Sequence, residues 1–361
     1  MPVPVPPPTA GPELWACVAD LPLRLEEVAL EPLERETPTM TRRCTHVRLR
    51  GAGEEGVGED VCYEPQDHDA LMAWDALPDL RGEWTIAALS ARLGALDLFP
   101  VPPAHDVYRR YRRWAFESAA LDLALRQAGR PLASVVGRPV PPMTFVSSRG
   151  VGDPPDPAVI ADLRDRSPGL RMKLDLGSAW DAAAIEALAP TGAVATVDLK
   201  AYYHGTPVDT EIDPEVYALL LDRLPDALLE DAGVTDATRE LLAAHPERLT
   251  WDVPLLDVAG LDELPFPPSV VNLKPSRVGS LRELSDLYAA CRRRGIGVYS
   301  GGQTELGAGR GQAQLLAALF HPEGPNDLAP KAFNDAELPD ALDRSPLRLT
   351  PAATGFRLAG D

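Results

Sequence analysis

The stretch LRMKLDLGSAWDAAAIEALAPTGAVATVDLK, residues 170–200, decides the fold of the chain. It begins with a short apolar run that carries Lys173 and ends with a second run that reaches Asp198. The alanine-rich segment between them, residues 179–189, has the spacing of an amphipathic helix, whereas the two runs have the length of buried strands. A strand, a helix and a second strand in this order predict two parallel strands of one sheet.

The same alternation repeats over most of the chain after about residue 142. The apolar runs lie at 143–148, 170–176, 193–200, 227–233, 249–255, 269–275 and 296–302. Helical segments separate them, most clearly at 214–224, 236–245 and 281–295, and we place a short eighth strand near 326–329. This number of units favours a closed (β/α) barrel. An open doubly wound sheet is the alternative, but no GxGxxG motif occurs at a strand-to-helix turn.

The N-terminal part of the chain has a different organisation. Residues 22–35 partly alternate like a strand, and residues 44–63 predict a hairpin with a Gly-rich turn at 51–58. Two helical stretches follow, near 67–96 and 105–129. Strands followed by helices predict a small α+β unit that precedes the barrel.

The composition is that of a globular protein that binds neither nucleic acid nor anionic membranes. With 54 acidic and 35 basic side chains the net charge is −19, whereas both of those partners require a basic face. The hydrophobic content of 45% suits a folded core, yet no apolar run approaches the ~20 residues of a membrane span. Residues 2–8 are rich in proline, and we expect a disordered or extended leader. The four cysteines are scattered without a CxxC pair, which predicts reduced thiols in a cytoplasmic protein.

Ionisable residues end five consecutive runs, although a buried parallel strand is ordinarily apolar. They are Lys173, Asp198, Glu230, Asp252 and Lys274. In a barrel all five positions meet at the mouth formed by the C-terminal strand ends, where barrel enzymes carry their active sites. The three carboxylates offer hard oxygen ligands for Mg²⁺, with Mn²⁺ as the alternative. The two lysines flank this trio in strand order, so we expect them on opposite sides of the metal.

This arrangement predicts proton abstraction next to a carboxylate. A carboxylate substrate on the metal would have its α-carbon between the lysines, and the metal would stabilise the enediolate that forms. A lysine acts as a base only if its pKa is lowered, and Arg171 is a candidate source of the necessary charge or a binder of the substrate carboxylate. Glu305 is a second candidate substrate-binding residue, at the mouth or in the loop after the seventh run. Asp231 is expected outside the ligand set.

From residue 22 to about residue 359 the chain resembles the enolase superfamily, and within it the muconate-lactonizing-enzyme-like group. HVRLRGAGEEGVGED, residues 46–60, resembles the N-terminal hairpin of that group, with a Gly-x-Gly-Glu turn at 56–59. Residues 114–137, WAFESAALDLALRQAGRPLASVVG, resemble its helix between cap and barrel. LRLTPAATGFRLAG, residues 347–360, resembles its C-terminal return to the cap.

The resemblance implies an α/β protein in which an N-terminal α+β capping domain covers a (β/α)₇β modified TIM barrel. The implied parts are the cap at 1–140, the barrel at 141–330 and a C-terminal segment at 331–361. Cap loops at 15–22 and 51–58 would close over the substrate.

The resemblance also implies the roles of the residues at the mouth. Asp198, Glu230 and Asp252 would hold Mg²⁺, and Lys173 and Lys274 would form the acid/base pair. Lys200 stands where the family usually has Asn, and we expect it to pair with Asp231 or Glu230 and to compete with the metal.

We therefore expect a Mg²⁺-dependent enzyme acting on a small-molecule carboxylate, either a racemase or epimerase or a cycloisomerase that uses two opposed lysines. A related acid dehydratase or an o-succinylbenzoate-synthase-like lyase is an alternative, although superfamily dehydratases commonly have His in place of Lys274. Another alternative is a barrel without turnover that serves as a binding or scaffold protein. An aldolase-type barrel with a Schiff-base lysine ranks last, because it leaves the three carboxylates without a role. We also expect a homo-oligomer, since barrels of this family often assemble.

Overall fold

A computed structural model of the chain describes residues 4–38, 40–206 and 208–360. Its strands are β1 (Pro22–Leu25), β2 (Glu27–Glu36), β3 (Thr41–Gly51), β4 (Glu54–Asp60), β5 (Gly82–Thr85), β6 (Met172–Asp175), β7 (Val194–Asp198), β8 (Leu228–Glu230), β9 (Leu249–Thr250), β10 (Val270–Asn272) and β11 (Gly297–Tyr299). Its α-helices are α1 (Leu14–Val18), α2 (Pro65–Met72), α3 (Ile86–Gly94), α4 (Tyr108–Gln127), α5 (Leu132–Val135), α6 (Pro157–Arg166), α7 (Ala182–Leu188), α8 (Pro214–Arg223), α9 (Arg239–Ala243), α10 (Gly260–Glu263), α11 (Pro275–Val278), α12 (Leu281–Arg294) and α13 (Ala308–Phe320). Short 3₁₀ turns cover Ala189–Thr191, Pro246–Arg248 and Lys331–Asn334.

The predicted hairpin of the N-terminal unit is confirmed as β3 and β4, which pair antiparallel with β2 on the other side of β3. The chain turns at 52–53, so the segment 56–59 is not the expected turn but lies within β4. The glycine at 58 is needed for packing, because a Cβ there would lie 2.0 Å from the carbonyl oxygen of Ala115 on α4. The hairpin thus lies directly against α4.

The two predicted helical stretches have different outcomes. The stretch near 105–129 is confirmed as α4, whose buried side chains include Trp114 and Leu121. The stretch near 67–96 is not one helix, since α2 and α3 are separated by β5, which pairs antiparallel with β1. A proline at 78 cannot continue a helix, and the glycine at 82 adopts a φ of +143°, outside the helical region.

The second part of the chain forms the predicted closed barrel. Strands β6 to β9 are parallel and adjacent in chain order, and β10 pairs in parallel with β11. The backbone amide of Asn272 donates to the carbonyl of Trp251 at 3.0 Å, which joins β10 to the end of β9. Isolated bridges from 143–147 to Met172 and Asn326, and from Gly301 to Asp327, complete the ring. Within the described residues, 143–147 is thus the first of eight ring positions, β6 to β11 are the second to seventh, and 326–328 is the eighth.

Both ends of the chain pack on other elements. The amide of Phe356 donates to Asp122 on α4 at 2.7 Å, so the C-terminal segment contacts the helix between the two units. The described part of the proline-rich leader is extended and lies against the barrel, where Pro6 accepts a hydrogen bond from Val298 at 3.1 Å. Residues 2 and 3 of that leader lie outside the described residues. Among the helices in the described ranges, none is long and apolar enough to cross a membrane.

Candidate active site

Four fully buried carboxylates lie side by side at the mouth of the barrel: Asp198, Glu230, Asp231 and Asp252. The parallel register pairs Asp198 at the end of β7 with Glu230 at the end of β8, so the sheet itself brings these two together. Oxygen atoms of Asp198, Glu230 and Asp231 lie within 4.8 Å of one another. That group of three includes Asp231, which the sequence analysis excluded, and leaves out Asp252.

Lys173, on β6, is held between two of these carboxylates. Its Nζ lies 2.5 Å from Oε1 of Glu230 and 3.2 Å from Oδ2 of Asp198. Burial alone would lower the pKa of this amine, but Glu230 and Asp198 raise the pKa well above its usual value. Lys173 is therefore protonated in this arrangement, which is the opposite of the lowered pKa that the sequence argument required of a base.

Glu230 has two further partners that the sequence analysis missed. The side-chain amide of Asn272, on β10, donates to both carboxylate oxygens at 3.2 and 3.3 Å. The hydroxyl of Tyr299, on β11, donates to Oε2. Burial raises the pKa of Glu230, and the ammonium of Lys173 opposes that increase. The only sequence signal was a polar side chain inside each of two otherwise apolar runs.

Lys200 pairs with different residues from those expected. Its Nζ lies 2.7 Å from Oδ2 of Asp198 and 3.0 Å from Oδ1 of Asp175, and the predicted partners Asp231 and Glu230 are not among its ion pairs. The reason is local, because Lys200 has a φ of +55° in the turn after β7, and its backbone amide also donates to Asp198. Burial lowers the pKa of Lys200, yet Asp198 and Asp175 raise it well above its usual value.

Asp252 is neutralised by two cations from the next ring position. Its Oδ2 lies 2.8 Å from Nζ of Lys274, and its Oδ1 lies 3.1 Å from Nε of Arg277 on α11. Burial raises the pKa of Asp252, but Arg277 and Lys274 lower it below its usual value. Arg277 was not identified from the sequence, since it follows the strand by five residues and begins no apolar run.

Asp231 links the end of β8 to the end of β9 through hydrogen bonds. Its two carboxylate oxygens accept hydrogen bonds from the backbone amides of Asp252 and Val253, at 2.9 and 3.1 Å. Asp231 has a φ of +54°, a conformation that turns its side chain toward the next strand. Burial raises the pKa of this carboxyl well above its usual value, and the neighbouring carboxylates add to the increase.

The two predicted substrate-binding residues are engaged elsewhere. Arg171 donates to the carbonyls of Val194 and Asp226 at 2.8 and 3.4 Å, near the N-terminal ends of β7 and β8, and so lies away from the mouth. Arg171 precedes β6, which begins at Met172, and the pairing with β7 shifts at that point, since Met172 pairs with Val194 and Lys173 with Thr196.

Glu305 lies in the loop after β11. Its two oxygens contact the amide of Gln303 at 2.7 Å and the guanidinium of Arg310 at 3.1 Å. The carboxylate of Glu305 therefore stabilises its own loop in this structure.

The cap meets the mouth through Arg42, Tyr63 and Tyr111. Gln303, in the loop after β11, accepts a hydrogen bond from the Tyr63 hydroxyl at 3.1 Å and donates one to the Tyr111 hydroxyl at 3.0 Å. The guanidinium of Arg42 donates to the carbonyls of Gln303 and Thr304 at 3.0 and 3.3 Å. These contacts fix the cap on the loop at the seventh ring position.

The cap loops that were expected over the substrate lie elsewhere. The amide of Trp15 donates to Ser285 on α12 at 2.9 Å, so the stretch 15–22 begins on the outside of the barrel. The stretch 51–58 lies against α4, where Val57 donates to Asp122 at 2.9 Å.

The donor set at the mouth fits a hard divalent cation. All four carboxylates are completely buried, and oxygen is the ligand atom that such cations prefer. Both oxygens of Asp252 are buried, and among the described residues their close side-chain contacts are the ionic ones with Lys274 and Arg277. Lys173, Lys200, Lys274 and Arg277 balance the carboxylate charge, so a bound cation has to displace some of these contacts.

Two family models match the chain. Residues 139–335 match the C-terminal domain, and residues 16–135 the N-terminal domain, of a family described as a domain of unknown function, DUF8230. The chain belongs to the DUF8230 family. The C-terminal match contains every charged residue of the mouth described above, so the candidate site of this DUF8230 protein lies within the matched domain.

Solved structures with a similar fold belong to the enolase superfamily. A dipeptide epimerase from Methylococcus capsulatus, complexed with Mg, is 21% identical with a TM-score of 0.67, and the match covers 93% of this chain and 99% of that one. The muconate lactonizing enzyme from Pseudomonas putida is 20% identical with a TM-score of 0.62, over 84% and 88% of the two chains. These matches confirm the predicted fold class of the DUF8230 chain, an N-terminal domain with a (β/α)₇β barrel.

A curated relative points to the same group. An N-succinylamino acid racemase of an Amycolatopsis species is 28% identical over 231 residues, which are 60% of this chain and 60% of the racemase. The match thus covers less than two thirds of the length of the racemase. With the structural matches, it confirms the predicted resemblance to the muconate-lactonizing-enzyme-like group.

Proposed function

We propose that this protein is a metal-dependent isomerase that removes the proton α to the carboxylate of a small molecule, as a racemase, an epimerase or a cycloisomerase. The observation that carries the proposal is the placement of Lys173 and Lys274. They lie at the second and sixth of eight ring positions, four apart, and therefore face each other across the carboxylates.

The choice of lysine at these positions supports a chemical role. The chain has only four lysines among its 35 basic residues, and three of the four lie at the mouth. Everywhere else except at Lys331 the chain uses arginine for positive charge. Arginine is always protonated in proteins, whereas lysine can release and accept a proton at Nζ. A site that needed charge alone would not require this bias.

We propose Mg²⁺, with Mn²⁺ as a substitute, at Asp198, Glu230 and Asp252. Asp198 and Glu230 are paired by the strand register, and both oxygens of Asp252 are buried and held by the ionic contacts with Lys274 and Arg277. Asp231 is left to hold the backbone between two strand ends. When bound, the cation would supply the positive charge that stabilises the enediolate form of a carboxylate substrate.

The two lysines would exchange the roles of acid and base between the two faces of the substrate. In the present arrangement both are acids, because Glu230 and Asp252 hold the protonated forms and raise both pKa values. The lysine that returns the proton to the substrate therefore already carries that proton in this structure. The lysine that takes the proton has to separate from its carboxylate and lose its own proton first. Racemisation and epimerisation require both events, whereas cycloisomerisation requires one base and one charged partner.

Exchange of the α-proton in D₂O tests the proposal. Purified protein with Mg²⁺ is incubated with both enantiomers of N-acylated amino acids and with dipeptides, and ¹H NMR follows loss of the α-proton signal. We expect exchange by the wild type, loss of exchange from one enantiomer in Lys173→Ala and from the other in Lys274→Ala, and no change in Lys331→Ala. Full exchange in both site variants would contradict the two-base assignment. Absence of exchange from the whole panel, with no metal bound, would favour the scaffold alternative. The cytoplasmic location and the homo-oligomeric state remain predictions.

A further inference from the structure

The proposed chemistry assigns no role to Lys200 and Asp175, which form an ion pair at the mouth. Nζ of Lys200 lies 2.7 Å from Oδ2 of Asp198 and 3.0 Å from Oδ1 of Asp175, so one ammonium bridges two carboxylates. The two carboxylates differ in environment. The side chain of Asp198 is 0% exposed, whereas that of Asp175 is 57% exposed. The Lys200 ammonium thus bridges a buried carboxylate inside the mouth and a solvent-exposed carboxylate at its rim.

We propose that Lys200 and Asp175 act together as an internal competitor that sets the affinity of the mouth for a divalent cation. Before a metal ion binds, the Lys200 ammonium is paired with the carboxylate of Asp198. When a cation binds Asp198, the ammonium withdraws and keeps Asp175 as its remaining partner. This inference rests on the proposed metal site, and it adds a regulatory pair that the metal site itself does not require.

The geometry around Lys200 favours exchange between its two carboxylates over complete release. Its backbone is fixed beside Asp198, because the amide of Lys200 donates to Oδ1 of that residue at 3.1 Å. Only the flexible side chain is then free to move. The centre of the Tyr203 ring lies 4.9 Å from Nζ of Lys200 and offers the ammonium a further, cation–π contact. A displaced ammonium therefore stays at the rim, paired with Asp175.

The competition has a simple quantitative form. A cation binds only those molecules in which Asp198 is free, so its apparent dissociation constant is the intrinsic one divided by the free fraction. Removing Lys200 takes away one of the two ammonium groups that contact Asp198, the other being that of Lys173, and so raises the free fraction and tightens binding. Removing Asp175 leaves Lys200 with Asp198 alone, which lowers the free fraction and weakens binding. The two substitutions are therefore expected to act in opposite directions.

Titration with Mn²⁺ by calorimetry, with free Mn²⁺ measured in parallel by EPR, tests this inference without reference to turnover. The proteins are the wild type, Lys200→Asn, Asp175→Asn and the double variant. Asparagine tolerates the left-handed backbone at position 200, and Asp175→Asn is isosteric at an exposed side chain, so all four are expected to fold. Circular dichroism checks this. Lys331→Asn is the control for removal of a lysine away from the mouth.

We expect Lys200→Asn to bind Mn²⁺ about tenfold more tightly than the wild type, and Asp175→Asn several-fold more weakly. The double variant decides between a specific pair and general electrostatics. If Asp175 acts through Lys200, then Asp175→Asn has no effect in the Lys200→Asn background. Equal weakening in both backgrounds would overturn the inference, because the charge of Asp175 would then act directly on the cation.

Two other outcomes separate this inference from the proposed function. If the wild type binds Mn²⁺ and Lys200→Asn binds it no more tightly, the metal site stands and the role of Lys200 is wrong. If none of the four proteins binds Mn²⁺, with or without a generic carboxylate present, both the metal site and the inference fail.

Discussion

Oε2 of Glu59, at the end of strand β4 in the cap, accepts a hydrogen bond from the backbone amide of Gly309, in the first turn of α13, at 2.9 Å. The same carboxylate accepts from the amides of Leu306 and Gly307 at 2.6 and 3.0 Å. The first amides of a helix have no partner within the helix, and a carboxylate there also interacts favourably with the helix dipole. One cap residue thus fixes the start of a barrel helix and the loop before it.

Glu59→Gln is expected to weaken the fold by about 1–3 kcal/mol. Glutamine keeps one acceptor oxygen and places an NH₂ group against the remaining amides, so at least one of the three buried donors loses its partner. Urea unfolding measures the free energy, with Glu83→Gln as the control at an exposed position of β5. A change of the same size in both variants, or none in Glu59→Gln, would contradict a capping role for Glu59.

Gly58→Ala is expected to be far more damaging than its size suggests. A Cβ at position 58 would lie 2.0 Å from the carbonyl oxygen of Ala115 and 2.4 Å from Oγ of Ser118, so β4 and α4 would have to separate. We expect a loss of more than about 3 kcal/mol or no soluble protein. Gly129→Ala is the matched control, because no atom of the described residues other than its chain neighbours lies within 4 Å of its Cβ position, and its φ of +64° is what opposes the change. Thermal unfolding midpoints that agree within a few degrees for Gly58→Ala and wild type would contradict this packing.

The strand ends show how far sequence patterns predict this site. Lys173, Asp198, Glu230 and Lys274 were identified because each interrupts or ends an apolar run, and parallel strands bring such positions to one mouth. Those positions depend only on the order of strands along the chain. The pairing of these side chains depends on distances across the ring of strands. The order of strands along the chain does not predict those distances.

Local backbone geometry explains several contacts at the mouth that the sequence did not indicate. Arg171 was expected to supply charge near Lys173 or to bind the substrate carboxylate, but it precedes strand β6 and its guanidinium donates to the carbonyls of Val194 and Asp226. Lys200 and Asp231 both have positive φ values, and these turns direct their side chains to partners that no periodicity indicates. Asn272 and Tyr299 lie inside strands, where a polar residue that faces a carboxylate is indistinguishable in sequence from one that faces a neighbouring strand.

The identity of the third metal ligand is testable with two isosteric variants. We expect Asp252→Asn to weaken Mn²⁺ binding by more than about 100-fold, beyond the 10–100-fold typical of residues that only orient ligands. Asp231→Asn is expected to cost stability instead, because asparagine has one acceptor oxygen for the two amides that Asp231 now holds. Calorimetric titration gives the affinity and urea unfolding the stability. The reverse result, binding lost in Asp231→Asn and kept in Asp252→Asn, would assign the site to the tighter cluster of Asp198, Glu230 and Asp231.

His321 makes the fold sensitive to acid at a site away from the mouth charges. The ring is fully buried after α13, where Nδ1 lies 2.9 Å from Oδ1 of Asn326 and Nε2 lies 3.2 Å from the hydroxyl of Tyr288. Burial lowers the pKa of His321 to about 4, and the contact with Asn326 opposes this only in part. The imidazole is therefore neutral in the folded chain and protonates on unfolding at mildly acidic pH.

The sign of the pH effect follows from which state binds more protons. Between about pH 6.5, the ordinary value for an unfolded histidine, and pH 4 the unfolded chain binds the extra proton, so stability falls as the pH is lowered through this window. From pH 7.5 to pH 5.0 we expect His321 to account for about 2 kcal/mol of the lost free energy of unfolding. His321→Gln, which keeps a donor and an acceptor without a titrating ring, should lose correspondingly less over the same interval in urea unfolding. Equal losses in the two proteins would mean that His321 is protonated in the folded chain at pH 5.0 and that its burial is incomplete.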